Sequence, residues 1–386
     1  MGLDTGAEGL QRLPIYRGRS GLKKKPFDII LFFAVVMLLA IGLVMVLSAS
    51  AVIAEHDFGD TFYYVKRQAI FAVLGIALMI MASEIDYWLY REHVRVIFLS
   101  ALLSLMIVLI PGIGVIRGGA RSWIGIGAFS IQPAEFAKLA LIVTLAVYLE
   151  RHHERLGSFW RGLFPPLLLG VFFFALIMLQ PDLGTGTVLL GTTVFMTFVA
   201  GARLLHLFLL GGVGLVAFAG LVAAAPYRLQ RILAYLDPWQ DPLGAGYQTI
   251  QSLYAIGPGG LFGLGLGMSR QKYQYLPEPY NDFIFAITAE ELGLIGATFV
   301  LLLFGVIIWR GYLIALYAPD HFARLTAVGI TSMILIQVLI NVGVVIGLLP
   351  VTGITLPLMS AGGSSLLIIL YGLGVLLNIS RYQERI

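Results

Sequence analysis

Residues 275–293 read Y-L-P-E-P-Y-N-D-F-I-F-A-I-T-A-E-E-L-G. From Phe283 the chain is apolar as far as Trp309, long enough to cross a bilayer, which takes about 20 residues of helix. Asp282 therefore stands at the mouth of a membrane helix, and Glu290 and Glu291 lie about two turns inside it. Carboxylates at membrane depth are costly and are kept where they face a cavity or a partner. What these three face is the question the rest of the sequence has to answer.

The whole chain supports the membrane reading. Of its 386 residues 59% are hydrophobic and only 12% charged, and its mean hydropathy is +0.91. A soluble protein carries roughly twice that charge fraction. The 45 glycines suit close helix packing in lipid. With no cysteine, disulfides, thiolate catalysis and Cys-ligated zinc are excluded. The net charge of +4 reports orientation in a membrane protein and points to no nucleic-acid partner. The expected fold is an all-α polytopic bundle of about ten transmembrane helices.

The ten stretches are about 28–50, 66–83, 95–111, 134–150, 163–180, 185–201, 205–225, 283–309, 324–348 and 361–380. Residues 1–26 form a basic cytoplasmic tail, and 27–386 the membrane domain. The fifth and sixth stretches are divided only by Q-P-D-L-G-T, which reads as a tight turn. With ten spans and the N-terminus inside, most Lys and Arg fall on the cytoplasmic side, as the positive-inside rule requires. Both termini are then cytoplasmic. Two longer segments, about 112–133 and 226–282, share the outer side, the second lying between helices 7 and 8. A connection that long is usually functional.

The outer helix ends carry the polar residues. In I-Q-P-A-E-F-A-K, Gln132, Glu135 and Lys138 recur every third residue and share one helical face, with Glu135 and Lys138 able to pair. The face either neutralises itself or lines a water-filled cavity. Asp182 in Q-P-D-L-G-T-G-T is placed to cap a helix, and so is Asp282. Glu290 and Glu291 cannot be caps. They point about 100° apart on a helix; Glu290 is the better placed to share a cavity with Asp282, and Glu291 should pair with a neighbouring helix. Arg270 and Lys272 lie beside this acidic stretch. Ser360, Ser364 and Ser365 sit at the start of the last helix, after an irregular segment bracketed by Pro350 and Pro357. The chemistry on offer is a carboxylate base with a few cations on the outer face, suited to group transfer from an anionic lipid-linked donor.

Five stretches together resemble the SEDS family of shape, elongation, division and sporulation proteins, over about residues 25–386. They are G-G-A-R-S-W-I-G-I-G-A-F-S-I-Q-P-A-E-F-A-K, Q-P-D-L-G-T-G-T, D-P-W-Q-D-P-L-G-A-G-Y-Q, the 275–293 stretch and P-V-T-G-I-T-L-P-L-M-S-A-G-G-S-S. The wording R-Q-K-Y-Q-Y-L-P-E-P is nearer the division and sporulation branch than the rod-elongation branch. Asn281 departs from the family, where Thr is common. The resemblance implies a peptidoglycan glycosyltransferase that polymerises lipid II at the outer face of a bacterial cytoplasmic membrane. The family's catalytic aspartate maps onto Asp282, as general base in an inverting transfer. Arg121, Lys138 and Lys272 become candidates to stabilise the leaving pyrophosphate. Gln132, Glu135, Asp182, Glu290, Ser360 and Ser364 complete the candidate substrate-binding set. The implied partner is a class B penicillin-binding protein, a transpeptidase. No organic cofactor is implied, and a divalent cation is left open. The competing readings are a lipid II flippase and a non-catalytic scaffold for the transpeptidase.

Overall fold

The computed structural model describes residues 24–117, 120–126, 129–223 and 235–383. The basic tail as far as residue 23 and the 224–234 part of the long loop lie outside the described residues. The chain runs α1 Ile29–Phe58, α2 Tyr63–Glu84, a short α3 Trp88–Glu92 and α4 Val94–Ile107. After a sheet come α5 Pro133–Arg151, α6 Phe164–Met178, α7 Leu183–Val199 and α8 Leu204–Ala223. The remaining helices are α9 Tyr247–Gly259, α10 Ile284–Leu316, α11 His321–Val345 and α12 Gly363–Ser380. Each of the ten expected stretches carries one of these helices. Among the described residues six helices are long and apolar enough to cross a membrane, and α4 and α7 are shorter apolar helices.

Side-chain caps set several starts. Asp28 accepts the Leu31 amide at 2.9 Å, Asp182 the Thr185 amide at 3.0 Å and Asp320 the Ala323 amide at 2.7 Å. Asp28 also pairs with Arg310 of α10, and its amide donates to Ser380 at the end of α12, joining three helices at one end of the bundle.

The Q-P-D-L-G-T punctuation does separate two helices. A Cβ on Gly170 would meet Thr193, and one on Gly186 would meet Phe174, so α6 and α7 run antiparallel face to face. The expectation of an all-α chain needs correction at 112–133. That segment forms an antiparallel sheet of β1 Gly114–Arg117, β2 Ala120–Ile126 and β3 Phe129–Ile131, in the order β1-β2-β3. Gly114 pairs with Ile124, and Ile124 with Ile131. Strands of four, seven and three residues are too short for a search for 20-residue apolar runs to find. The long outer loop likewise holds a helix, α9, packed on α10.

The opening stretch is not one continuous helix. α10 breaks at Gly293, whose φ of 66° and ψ of −169° are non-helical. In an unbroken helix the amides of Leu294 and Ile295 would donate to the carbonyls of Glu290 and Glu291. Here they donate to Gly260 and Leu261 at 2.9 and 3.1 Å, while the amides of Leu264 and Gly265 donate to Glu290 and Glu291 at 2.9 and 3.0 Å. The 260–265 segment thus re-pairs all four groups that the break releases, which irregular backbone at membrane depth requires. No side chain fits at the contact: a Cβ on Gly293 would lie 2.3 Å from the Gly263 nitrogen, and one on Gly263 2.1 Å from the Glu291 carbonyl oxygen.

Gly293→Ala, with a left-handed φ and a backbone clash, should destabilise the protein by about 2–4 kcal/mol. Gly305→Ala, on the same helix where a Cβ meets nothing within 4 Å, should be neutral or stabilising by up to about 1 kcal/mol. Thermal unfolding of the two variants in detergent checks both.

Candidate active site

The starts of α2, α5, α7 and α10 converge with β2 and the irregular segment before α12 around one cavity of about 730 Å³. Its wall brings together Asp282, Gln132, Glu135, Lys138 and Asp182 from three separate parts of the sequence.

The backbone around Asp282 is held from three sides. The Ser360 hydroxyl donates to the Asn281 carbonyl at 2.6 Å, the Ala361 amide to Tyr280 at 2.9 Å, and the Asn341 amide group to the Asp282 carbonyl at 2.8 Å. The carboxylate is left for the cavity. It is not the expected helix cap, because α10 begins at Ile284 with Phe283 in the capping position and no side-chain cap bond. Among the described residues nothing hydrogen-bonds to it. It passes close to the 351–355 segment, where a Cβ on Gly353 would lie 3.6 Å from Oδ2. Burial, helped by the Glu278 and Asp182 carboxylates, pushes its pKa up to about 7. A carboxyl group so placed is half deprotonated near neutral pH and can both accept and return a proton.

Opposite stands a hydrogen-bonded network. Lys138 Nζ pairs with Glu135 Oε2 at 3.0 Å, both side chains buried, and donates to Gln337 Oε1 at 3.2 Å. The Ser365 hydroxyl donates to Glu135 Oε2 at 3.1 Å. Gln132 Nε2 donates to Asp182 Oδ2 at 2.7 Å, while Asp182 Oδ1 caps α7. Asp182 is raised by burial and by the Glu135 charge, against the lowering effect of the Thr185 amide. Self-neutralised pair and cavity wall, alternatives in the sequence, are here the same arrangement. Among the described residues no three His, Asp or Glu side chains gather to hold a metal ion.

Five sequence candidates lie outside the cavity wall. Lys272 is buried and donates to Glu291 Oε1 at 3.4 Å and to the Gly267 carbonyl at 2.5 Å. Glu290, expected beside Asp282, instead accepts from the Ser269 hydroxyl at 2.5 Å and the Arg270 amide at 2.8 Å. Glu291 accepts from Ser48 of α1, the neighbouring helix expected for it, at 2.7 Å, and from the Gly267 and Ser269 amides at 3.0 and 3.1 Å. The two glutamates therefore anchor the loop that enters the helix break, because its amides needed acceptors there. Arg121 sits on β2 and folds back over Gly114, while its neighbour Ser122 takes the cavity side. Ser360 braces the Asn281 carbonyl and accepts the Leu356 amide, and Ser364 accepts the Gln132 amide at 3.4 Å.

Other wall residues were not picked out from sequence: Arg67, Glu278, Tyr64, Tyr280 and Gln337. Glu278 has a left-handed φ of 50° and accepts from Asn281 Nδ2 at 2.6 Å, a bond that Thr at 281 could not reproduce from an amide. Such a conformation at a non-glycine residue is a recurrent mark of functional sites. Arg67 reads as one more membrane-flanking cation; only the fold brings it to the cavity.

Replacing Glu291 with Leu removes the counter-ion of the buried Lys272 and the acceptor of the Gly267 and Ser269 amides, and should cost about 3–5 kcal/mol. The double variant Glu291→Leu/Lys272→Met should lose less than the sum of its singles. Thermal melts of all three variants test this.

The chain matches the FtsW/RodA/SpoVE family model, described as a cell cycle protein, over residues 29–385. It is 57% identical to stage V sporulation protein E of Bacillus subtilis over 94% of this chain and 99% of the relative. It is 44% identical to a probable peptidoglycan glycosyltransferase FtsW of Geobacter metallireducens, over 92% and 94% of the two chains. Among solved structures it superposes on a chain of a peptidoglycan synthase complex with a TM-score of 0.75 at 34% identity, covering 92% of this chain and 98% of that one. The rod shape determining protein RodA of Thermus thermophilus gives 0.68 at 31% identity, over 93% and 98%. Family model, full-length relatives and superposed structures agree, and the chain belongs to the FtsW/RodA/SpoVE family.

Proposed function

We propose that this chain is a peptidoglycan glycosyltransferase that polymerises lipid II, with Asp282 as its general base. The observation that carries the assignment is the Asp282 carboxylate, fixed through its backbone, turned to the cavity and poised near neutral pH. Relatives named as peptidoglycan glycosyltransferases, similar over nearly the whole chain, support the activity.

In the proposed reaction Asp282 takes the proton of the acceptor sugar's 4-hydroxyl. The oxygen attacks the anomeric carbon of the donor sugar. The bond from that carbon to the pyrophosphate oxygen breaks, its electron pair leaves with the pyrophosphate, and configuration inverts in a single displacement. Asp282 returns its proton to water afterwards. The leaving group gains charge as the bond breaks, and a preorganised cation there is worth about 3–4 kcal/mol. Arg67 and Lys138 are the cations in the cavity wall that serve this role. Arg67 Nη1 donates to the Tyr63 hydroxyl at 2.9 Å, which fixes the guanidinium, and Glu135 and Gln337 fix Lys138.

The proposed topology is ten crossings, with both termini cytoplasmic and the cavity open to the outer face of a bacterial cytoplasmic membrane. The distribution of Lys and Arg supports it. A penicillin-binding transpeptidase is the proposed partner, supported by the likeness to a synthase complex described as coordinating polymerization and crosslinking.

Purified wild type should convert fluorescent lipid II into glycan. Folded Asp282→Asn should lose about 10³-fold or more in rate, and Arg67→Ala about 10²-fold. Full activity of folded Asp282→Asn would remove the base assignment. A base must be deprotonated to act. With its pKa raised to about 7, kcat/KM should therefore climb through pH 7, whereas an ordinary carboxylate would have reached its plateau far lower. Glu278→Gln removes a neighbouring negative charge and should move that rise to lower pH.

A further inference from the structure

The cavity rim carries an aromatic stack, of which the chemistry above uses only the Tyr63 hydroxyl that fixes Arg67. Phe58, the last residue of α1, lies parallel to Tyr63, with ring centroids 3.8 Å apart and planes 11° apart. Tyr64 meets Phe58 edge-on at 5.8 Å and packs on Tyr280 at 4.3 Å, two residues before Asp282. Arg67 lies over the Tyr63 ring at 5.6 Å. Phe58, Tyr63, Tyr64 and Tyr280 all line the cavity, so the stack is continuous with the site. Yet Phe58 is 49% exposed.

Lipid tails are a poor fit for that exposed face. Phe58 stands in E-H-D-F-G-D, residues 55–60. Glu55 accepts from Thr61 at 2.7 Å, and Asp60 pairs with Lys66 at 2.8 Å, in an exposed turn. Charges this dense on both sides of one residue belong in water. The occupant must therefore be hydrated and yet offer a flat apolar patch. A pyranose ring does so: its C–H faces carry the positive edge that the negative face of an aromatic ring attracts. The cavity is the size of a pocket for one drug-sized molecule. A lengthening strand has to leave it across the rim.

Resting on the polymerase reading, we infer that the Phe58–Tyr63 stack is a sugar-binding subsite, on which a ring of the glycan strand lies as it leaves the cavity. The subsite holds the strand between additions and so sets product length.

The test uses the full-length purified protein with Phe58→Ala, Phe58→Leu and Phe58→Trp, and reads glycan length on gels. Ala and Leu should shorten the mean strand roughly three- to tenfold, and Trp should keep it. Leu preserves apolar burial but not the ring face. Wild-type length in Phe58→Leu would mean the residue only anchors in apolar surroundings, and the subsite falls. A second readout needs no catalysis: saturation transfer from the protein to the ring C–H protons of a soluble β-1,4-linked N-acetylglucosamine oligomer. Transfer should be present in wild type and Phe58→Trp and absent in Ala and Leu. A wild type that shows this transfer but makes no polymer sinks the glycosyltransferase reading and keeps the subsite. Equal transfer in wild type and Phe58→Leu sinks the subsite.

Discussion

The structure turns on the re-pairing of backbone groups at the Gly293 break. A helix in lipid cannot simply stop, because each freed amide and carbonyl needs a partner that the hydrocarbon does not supply. The 260–265 segment supplies all four, and it can approach only because Gly263 and Gly293 present no side chain. Glu290 and Glu291 then fix the loop beyond by accepting its amides, with Lys272 balancing part of the charge. The loop that returns from this anchor is the one that delivers Glu278, Tyr280 and Asp282 to the cavity. The carboxylates inside the helix are thus the means by which the carboxylate at its mouth is held in place.

The cavity joins two kinds of polar group. One wall is satisfied: Glu135, Lys138, Gln337, Ser365, Gln132 and Asp182 bond to one another and resist rearrangement. The other holds Asp282, whose backbone is clamped and whose carboxylate has no protein donor among the described residues. Burial without a donor favours the neutral acid, and that is what brings the proposed base into the range where proton transfer in both directions is easy. A donor to Asp282 would lower its pKa and weaken it as a base. The economy of hydrogen bonds there follows from the chemistry proposed.

Much of this was legible in the chain. Hydropathy and span length picked out stretches that each carry a helix, six of those helices being long and apolar enough to cross a membrane among the described residues, and the turn at Pro181-Asp182 was visible as punctuation between α6 and α7. The i, i+3 spacing of Gln132, Glu135 and Lys138 gave a face that the fold does turn to the cavity. The sheet at 114–131 was missed because its strands are short and carry no clear alternation of apolar and polar residues. Glu290 and Lys272 were misplaced because the sequence does not show the 260–272 loop folding back onto α10, where its Ser269 hydroxyl and Arg270 amide take Glu290 as acceptor and Lys272 turns to Glu291.

The sequence by itself determined what is local: which segments are apolar enough for lipid, which residues can cap or pair within a turn or two, and which carboxylates are too costly to lack a purpose. Tertiary structure decided what is shared between distant segments. It chose Arg67 over Arg121 and Lys272 as a cation of the cavity, turned Glu290 from a site residue into an anchor beside Glu291, and set Glu278 against Asp282. The reason is physical. The cost of a buried charge depends on what surrounds it in space, and those surroundings come from residues hundreds of positions apart, such as Glu135 with Ser365 or Ser48 with Glu291.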